Sequence, residues 1–311
     1  MRIFKSTPSF DFLGKRKITA VISAVLVLLS IFFIATRSFN FGIDFTGGYL
    51  VEVEYPQQAE LESIRSAMKD AGFGDVSAQF FGTTKEAQIR IEPQPEEKSA
   101  EEIRVEIINA LESQNADVKV NSLSFVGPSV GEELKEKGGQ AAMIALLLIF
   151  FYVWIRFEWR FSLGALLALA HDVIITLGVF SFLQLPFDMN VLAAILAVIG
   201  YSLNDTVVVF DRIRENFLRM RNPESLGVMN TSINEMLART LVTSVTTMIV
   251  VLCLYFIGGE NIKPFALTLV VGILVGTYSS IYVASATALA TGVSKEDLLP
   301  KEIDDELDEM P

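Results

Sequence analysis

The sequence predicts an α-helical membrane protein that crosses the bilayer six times and carries one inserted α+β domain. The 311-residue chain is 51% hydrophobic and its mean hydropathy is +0.44; both values are too high for a soluble domain. Six apolar runs are each long enough to span the hydrocarbon core of a bilayer. Between the first two runs, residues 37–138 show the alternating and helical patterns of a water-soluble domain.

The predicted membrane spans follow one another with short connections after the inserted domain. They are residues 18–36, 139–155, 161–183, 191–210, 241–257 and 264–290. The other segments are an N-terminal stretch 1–17, a polar connection 211–240 and an acidic tail 291–311. The first run is longer than the apolar region of a signal peptide, about 7–15 residues, and more spans follow it, so we expect an uncleaved first span.

The distribution of basic residues predicts the orientation in the bilayer. Fourteen of the 25 Lys and Arg residues lie in the N-terminal stretch, the 156–160 turn, the 211–240 connection and the tail. The two short loops on the opposite side hold only Lys263. Basic residues are enriched in short cytoplasmic segments, and long inserted domains are not counted. We therefore expect both termini in the cytoplasm and the inserted domain outside.

The inserted domain has the pattern of a ferredoxin-like fold. Its predicted elements are strand, helix, strand, strand, helix and strand, at residues 49–54, 58–71, 76–81, 85–92, 99–114 and 117–125. Ser99 and Glu102 have the spacing of a capping box at the start of the second helix. The order β-α-β-β-α-β is typical of ferredoxin-like α+β domains, so we expect a domain of that type on the external side.

Ionisable residues inside the predicted spans are the candidate functional residues. Asp205 lies in the fourth span, where a carboxylate costs at least about 2.5 kcal/mol and often marks a proton path. Arg239 stands just before the fifth span, and His171 and Asp172 lie near the middle of the third. Burial favours the neutral form of a carboxyl group, and a nearby guanidinium favours its charged form. Alternate approach and withdrawal of Arg239 would let Asp205 release and accept a proton, with His171 and Asp172 extending the relay.

Static roles for the same residues remain open at this point. Asp205 can bond Asn204, Ser202 or a facing helix instead of carrying a proton. The neighbouring His and Asp of the third span can form a static pair that holds two helices together. Arg239 can be an anchor that follows the positive-inside rule. The sequence alone does not separate these roles from a relay.

Small and hydroxyl-bearing residues in the last two spans predict close helix packing. Gly272, Gly276 and Ser280 begin a ladder at four-residue spacing on one face of the sixth span, which lets helix backbones approach closely. The fifth span is rich in hydroxyl groups, at Thr243, Ser244, Thr246 and Thr247. Helix packing is one role for these hydroxyls, and lining a water path is the other.

Several functions are excluded by residues that the sequence lacks. One His and one Cys, Cys253, do not make a metal cluster. The sequence has no basic patch for nucleic acid and no Gly-rich phosphate loop for ATP hydrolysis. It also lacks the nucleophile–base pair that hydrolases need. We therefore expect no enzyme, no cofactor and no bound metal.

Six segments resemble the signatures of the bacterial SecF family. They are 41–48 (FGIDFTGG), 125–131 (FVGPSVG), 170–172 (AHD), 199–216 (IGYSLNDTVVVFDRIREN), 239–241 (RTL) and 279–282 (SSIY). The motif and turn residues in them are Gly42, Asp44, Gly47, Gly48, Gly127, Pro128, Gly131 and Asn204. Glycine and proline at strand ends are turn residues, and we expect them to fix how the external domain leaves the membrane.

The resemblance implies a subunit of the Sec protein translocase in the bacterial cell inner membrane, with its inserted domain in the periplasm. Members of this family pair with SecD and belong to the resistance-nodulation-division superfamily. The pair uses the proton motive force to assist preprotein translocation, after the ATP-driven step of SecA at the SecYEG channel. YajC and YidC are further expected partners.

The resemblance also implies residue roles and leaves alternatives. Asp205 and Arg239 match proton-path positions of the family, and a further essential Asp is expected on SecD. One alternative function is half of a proton-driven small-molecule exporter of the same superfamily. Another is a structural membrane scaffold in which Asp205 only packs. The compact external domain favours the translocase over the exporter.

Overall fold

The computed structural model of the chain describes residues 8–74, 76–94, 99–115, 117–220 and 224–298. Parts of several predicted segments lie outside the described residues. They are residues 1–7 of the N-terminal stretch, residues 75, 95–98 and 116 of the inserted domain, 221–223 of the polar connection and 299–311 of the acidic tail.

The described residues form ten α-helices and six strands. The helices are α1 (Arg16–Arg37), α2 (Ile43–Thr46), α3 (Leu61–Asp70), α4 (Ala100–Gln114), α5 (Pro128–Arg156), α6 (Trp159–Leu183), α7 (Met189–Arg219), α8 (Ser225–Ile257), α9 (Lys263–Ser279) and α10 (Ser285–Ala290). The strands are β1 (Asn40–Phe41), β2 (Gly48–Glu54), β3 (Ser77–Phe81), β4 (Thr83–Ile91), β5 (Lys119–Val126) and β6 (Pro186–Phe187). A π-helical turn, Ser280–Ala284, joins α9 to α10, and short 3-10 turns lie at Leu13–Lys15, Glu260–Ile262 and Glu296–Leu298.

Six of these helical segments are long and apolar enough to cross a membrane: α1, α5, α6, α7, α8 and the unit formed by α9, the π turn and α10. The predicted six-span bundle is therefore confirmed, and the chain is an integral membrane protein. The inner helices of the bundle are α6, α7 and α9. Half of the most apolar stretch of α6 and of α7 is buried, against 6% for α1.

The inserted domain is a four-stranded antiparallel sheet covered by two helices. The strand order is β3-β4-β2-β5, with β2 paired to both β4 and β5. Helices α3 and α4 cover one face, and residues such as Ile64, Ile89 and Ile107 form its buried core. The capping box of Ser99 and Glu102 is formed at the start of α4. The ferredoxin-like prediction is therefore confirmed.

Helix α5 begins well before the span predicted at 139–155. Gly127 is its N-cap residue with an extended backbone, and Pro128 occupies the first turn, where its missing N–H costs nothing. The first turns carry Glu133 and Lys137, which form an ion pair on the helix surface. Helices α7 and α8 likewise extend past 210 and begin before 241. The positions at which these helices enter the bilayer stay predictions.

The external domain is attached to the top of the bundle by a short segment between α1 and β2. Strand β1 in this segment pairs in parallel with β6, between α6 and α7. Phe41 contacts the rings of Phe39, Phe45 and Phe187, and Arg90 of the sheet donates to the Phe41 carbonyl. This arrangement places the sheet directly over the N-terminal end of α7.

Candidate functional site

Asp205 lies inside the bundle and is held by two other helices. Its side chain is 7% exposed. Thr240 Oγ1 of α8 donates to Asp205 Oδ1 at 2.8 Å, and Ser280 Oγ of the π turn donates to Oδ2 at 2.6 Å. Each carboxylate oxygen therefore accepts one hydroxyl hydrogen bond, and this one side chain of α7 joins three helical segments.

Asp172 of α6 forms a second buried carboxylate site beside the first. Its side chain is 1% exposed. Ser202 Oγ of α7 donates to Asp172 Oδ2 at 2.6 Å, and Ser279 Oγ donates to the same oxygen at 2.7 Å. The other oxygen, Oδ1, lies 2.9 Å from His171 Nδ1. A carboxylate in the bundle interior needs such partners because an unpaired buried charge is very costly.

Two consecutive serines connect the carboxylates. Ser279 ends α9 and bonds Asp172, whereas Ser280 opens the π turn and bonds Asp205. Both serines are fully buried. Adjacent residues of a helix point in different directions, so one pair can serve two neighbouring helices. A π turn is rare and is frequent at functional sites; here Ser285 Oγ donates to the Ser280 carbonyl at 3.0 Å.

Each serine of the pair has a second acceptor on its own helix. Ser279 Oγ lies 3.1 Å from the Gly276 carbonyl, and Ser280 Oγ lies 3.1 Å from the Thr277 carbonyl. A hydroxyl group has one hydrogen and donates to one acceptor at a time in full strength. Each serine can therefore bond either a carboxylate on a neighbouring helix or the backbone of its own helix.

His171 extends the site toward α1. Its ring is 5% exposed and stacks on Tyr278, with ring centroids 6.1 Å apart. Tyr278 Oη donates to the Thr19 carbonyl at 2.9 Å. The second ring nitrogen, His171 Nε2, is buried and has no hydrogen-bond partner in the described part of the chain. Such an unpaired buried nitrogen in a native structure calls for an explanation.

Arg239 lies next to the site but does not bond it in this conformation. Its side chain is exposed, and no carboxylate among the described residues lies within 4.0 Å of it. It directly precedes Thr240, which bonds Asp205. Arg212, by contrast, forms an ion pair between partly buried side chains: its Nε lies 2.6 Å from Glu235 Oε2.

The static alternatives can now be compared with the geometry. Asn204 is exposed, and Ser202 bonds Asp172 rather than Asp205. Asp205 does bond facing helices. In the fifth span, Ser244 packs between helices by bonding Thr277 at 2.8 Å, whereas the hydroxyls of Thr243, Thr246 and Thr247 donate to backbone carbonyls of α8 itself.

The small residues of α9 lie against α7. A methyl group built on Gly272 would lie 2.2 Å from Val198 Cγ2, and one built on Gly276 would lie 3.1 Å from Ser202 Cβ. Only glycine allows this approach of the two backbones. Ser280, the third residue of the predicted ladder, additionally bonds Asp205. The close contact thereby brings both serines within reach of the carboxylates.

The glycine-rich segment after α1, residues 40–48, forms a latch at the N-terminal end of α7. Gly42 N donates to the Phe187 carbonyl at 2.8 Å. Asp44 Oδ2 accepts from Met189 N, the first residue of α7, at 3.0 Å. Asp188 is the N-cap residue of α7, and its Oδ1 accepts from Val191 N at 2.8 Å. Two carboxylates, one from the latch, therefore cap the helix that carries Asp205.

The environment of Asp188 shifts its protonation. Burial raises the pKa of the Asp188 carboxyl above its ordinary value, and the hydrogen bond from Val191 opposes this. The nearby negative charge of Asp44 raises this pKa further, because two like charges disfavour joint ionisation. The carboxylates of Asp44 and Asp188 therefore repel each other where the latch meets α7.

Glycines make the latch possible. Gly47 and Gly48 have φ angles of +71° and +108°, which L side chains rarely adopt. A methyl group on Gly48 would lie 2.3 Å from the Ile91 carbonyl, and one on Gly131 of α5 would lie 2.9 Å from Gly47 N. Gly127 and Pro128 start α5 beside these residues. The two glycine-containing motifs thus meet at one junction between sheet and bundle.

The sequence did not single out Thr240 and Ser279 as partners of the carboxylates, and it offered Ser202 as a partner of Asp205, whereas Ser202 bonds Asp172. Two signals were available. Ser202 lies one helical turn before Asp205, and Thr240 directly follows Arg239. Neither signal identifies which carboxylate is bound, because that depends on the rotation of each helix about its axis.

Comparison with known proteins fits this architecture. Residues 106–294 match the family of the C-terminal region of the protein export membrane proteins SecD and SecF, and residues 32–59 match the SecD/SecF GG motif. The latch and the start of β2 lie within the second match. The protein translocase subunit SecF of Vibrio alginolyticus is 48% identical over 314 residues, covering 100% of this chain and 99% of that protein.

The chain belongs to the SecF branch of the SecD/SecF family of protein-export membrane proteins. The SecF subunit of Haemophilus influenzae is 43% identical, over 98% of this chain and 93% of that protein. The crystal structure of SecDF, a translocon-associated membrane protein from Thermus thermophilus, is 37% identical with a TM-score of 0.84. That match covers 93% of this chain but only 40% of the SecDF chain. Relatives of this chain are thus named as components of protein transport.

Proposed function

We propose that this chain, together with SecD, uses the proton motive force to assist preprotein translocation across the bacterial inner membrane. The observation that carries the proposal is the pair of buried carboxylates, Asp172 and Asp205, joined through Ser279 and Ser280. Intramembrane carboxylates mark proton relays, and SecF relatives give the process they would serve.

The hydrogen bonds suggest how a proton changes the contacts between helices. An ionised carboxylate accepts from a hydroxyl at each oxygen, as Asp205 does from Thr240 and Ser280. When Asp205 takes up a proton, one of its oxygens becomes a donor. Ser280 then turns its hydrogen to the Thr277 carbonyl 3.1 Å away, and the bond from Ser280 to a charged carboxylate is replaced by a weaker contact between neutral groups. Proton uptake is thereby converted into a change in how two helices pack.

Asp172 is proposed to work in the same way. Its protonation frees Ser279 to bond the Gly276 carbonyl. The unpaired Nε2 of His171 offers a buried nitrogen that can accept or pass on a proton, because the nitrogen of a neutral imidazole that carries no hydrogen is an acceptor. Arg239 is proposed to approach Asp205 from the cytoplasmic edge and favour its ionised form, which completes a relay of His171, Asp172, Asp205 and Arg239.

The setting of this relay follows from the orientation and the relatives. We propose that both termini lie in the cytoplasm, as the distribution of basic residues predicts, and that the ferredoxin-like domain lies in the periplasm. We propose SecD as the partner half, since the matching SecDF chain is far longer than this one. SecYEG, with its motor SecA acting first, is the proposed channel, and YajC and YidC are proposed neighbours.

Substitution of Asp205 by Asn tests the proposal. Asn is nearly isosteric and still accepts one hydrogen bond, but it does not titrate. In membranes that contain SecD, we expect Asp205→Asn to remove the proton-gradient-dependent completion of preprotein translocation and to leave the ATP-driven step intact. The matched control is Asp211→Asn in the same helix, whose exposed carboxylate pairs with Arg156 at 2.8 Å.

The variants must reach normal levels and associate with SecD for the comparison to count. If Asp205→Asn translocates as well as Asp211→Asn, the carboxylate is a packing residue and the relay assignment is wrong. An effect of equal size in both variants would point to general damage to α7 rather than to proton transfer.

A further inference from the structure

A cavity of about 780 Å³ lies between the sheet of the external domain and the top of the membrane bundle. Its lining runs from Asp44 of the latch to Phe81 at the tip of the β3–β4 hairpin. At that tip, a methyl group on Gly82 would lie 2.9 Å from Glu260 Cγ, so the hairpin touches the turn between α8 and α9. The external domain therefore arches over the bundle and encloses space beneath it.

The roof of the cavity is the face of the sheet that no helix of its domain covers. Cross-strand pairing places Gln79, Gln88, Glu52 and Ser122 in one row, and all four line the cavity. Gln79 Nε2 donates to Gln88 Oε1 at 3.1 Å. This row is polar from one edge of the sheet to the other, so it is not suited to an apolar helix or to lipid chains.

The charges that face the cavity are mostly negative. The carboxylates are Asp44, Glu52, Asp188 and Glu260, and the cations are Arg90 and Lys263. Both cations are already occupied, since Arg90 donates to the Phe41 carbonyl and Lys263 pairs with Glu260.

Glu52 is the uncompensated charge of the roof. It lies in the middle of the polar row, between Gln88 and Ser122. Its carboxylate forms no hydrogen bond or ion pair with the described residues. An unpaired carboxylate in a walled space attracts cations and N–H donors.

The dimensions of the cavity fit a short extended peptide. Sites for small ligands occupy about 300–1,000 Å³, so 780 Å³ is a full site rather than a packing defect. Four strands about 4.8 Å apart give a roof about 14 Å across, which corresponds to four or five residues of extended chain at about 3.3 Å each. Side-chain amides and hydroxyls offer both donors and acceptors to its backbone.

We propose that this cavity binds an extended polypeptide segment that carries Lys or Arg, with Glu52 as its charge-selecting residue. The inference rests on the proposed function, because a polypeptide in transit is what would supply such a segment at the external surface. It goes further by giving the segment a location, a conformation and a charge preference.

Photo-crosslinking tests the site without any proton gradient. The full chain, reconstituted with SecD in nanodiscs, carries a benzophenone amino acid in place of Gln88. The control carries it in place of Lys69, an exposed residue of α3 on the other side of the sheet. The probes are two unstructured peptides of equal length, one with three lysines and one with three glutamates at the same positions.

We expect the Gln88 position to crosslink the lysine peptide and the Lys69 position not to. The glutamate peptide should crosslink at least about fivefold less, and Glu52→Lys should lower crosslinking of the lysine peptide about tenfold, since charge reversal weakens electrostatic binding. Glu52→Gln should have a smaller effect. If Glu52→Lys proves unstable, Ser124→Lys on the neighbouring row of the roof introduces the same charge.

Equal crosslinking at Gln88 and Lys69, or equal crosslinking of the two peptides, would overturn the proposal. Because the assay needs neither translocation nor a gradient, its result is separate from that of Asp205→Asn. If the lysine peptide binds and Asp205→Asn translocates normally, the binding site stands and the relay is rejected. If the peptide does not bind and Asp205→Asn loses gradient-dependent translocation, the relay stands and the binding site is rejected.

Discussion

A methyl group at Gly272 is the most direct test of the close contact between α7 and α9. In Gly272→Ala the new carbon would lie 2.2 Å from Val198 Cγ2 and 2.5 Å from Cγ1, whereas carbon atoms pack at about 3.5–4.0 Å. Val198 is 1% exposed, so it has little room to move. The helices must separate or Val198 must leave its rotamer.

The size of the effect follows from two opposing contributions. Overpacking of a tight core costs about 1–3 kcal/mol, and Ala is the better helix former by up to about 1 kcal/mol. We therefore expect a net loss of about 1–2 kcal/mol in stability. For a chain of this size that loss lowers Tm by several degrees, at about 2–4 °C per kcal/mol.

The assay is thermal unfolding of the purified protein in detergent, with two further variants. Gly200→Ala on α7 is the matched control, because no heavy atom lies within 4 Å of its added carbon, and it should not lower Tm. Val198→Ala removes the two carbons that clash most, at 2.2 and 2.5 Å, and leaves only Cβ at 2.9 Å, so the double variant should be more stable than Gly272→Ala alone. A coupling of about 1–3 kcal/mol is expected for residues in contact.

Two outcomes would refute this reasoning. If Gly272→Ala unfolds at the same temperature as Gly200→Ala, the helices are not in close contact at this point. If the double variant is no more stable than Gly272→Ala, the loss arises elsewhere than at the two γ carbons of Val198.

Two further predictions concern the latch. Asp44→Ala removes the acceptor of Met189 N and should destabilise the start of α7 by about 0.5–2 kcal/mol, whereas Asp44→Asn retains an acceptor and should cost less; hydrogen exchange at Met189 measures the difference. For Asp188, the raised pKa means that the folded state holds its proton more tightly than the unfolded chain. Stability should therefore fall as the pH rises from the unfolded pKa of Asp through the higher folded value. Asp188→Asn should flatten that part of a Tm-against-pH curve, and an unchanged slope would reject the assignment.

The helices of the bundle and the fold of the external domain could be predicted because each is a local pattern. Apolar runs indicate spans by length, and the order of alternating and helical segments indicates the ferredoxin-like domain. The early start of α5 at Pro128 was missed, because hydropathy stops at charged residues such as Glu133 while the helix continues through them. Gly127 followed by Pro128 is compatible with the start of a helix as well as with the end of a strand, and the sequence prediction rests only on the second interpretation.

The candidate site was predictable only in its charged residues. Asp172 and Asp205 stand out because carboxylates are rare in spans. Their partners do not stand out, since serine and threonine are common in membrane helices and often bond their own backbone. The π turn Ser280–Ala284 adds a further obstacle: it changes the helical phase after Ser280, so the four-residue spacing of the ladder does not give the directions of the residues beyond it. The two-residue pairing of β1 with β6 is likewise beyond any local pattern.

The latch and the buried carboxylate Asp205 are connected through α7, because the latch bonds the first residue of this helix and Asp205 belongs to it. Asp44 and Asp188 hold the first turn of this helix, and Asp205 lies sixteen residues further on, about 24 Å along the axis at 1.5 Å per residue. A helix of this length moves nearly as a rigid rod, since packed elements are not continuously deformable. In the proposed mechanism, a change of partner at Ser280 alters the position of α7 as a whole, and the latch transmits that change to the sheet above the cavity. In the reverse direction, a polypeptide held in the cavity would bias which partner Ser280 bonds, so binding outside and protonation inside would be linked through the same helix.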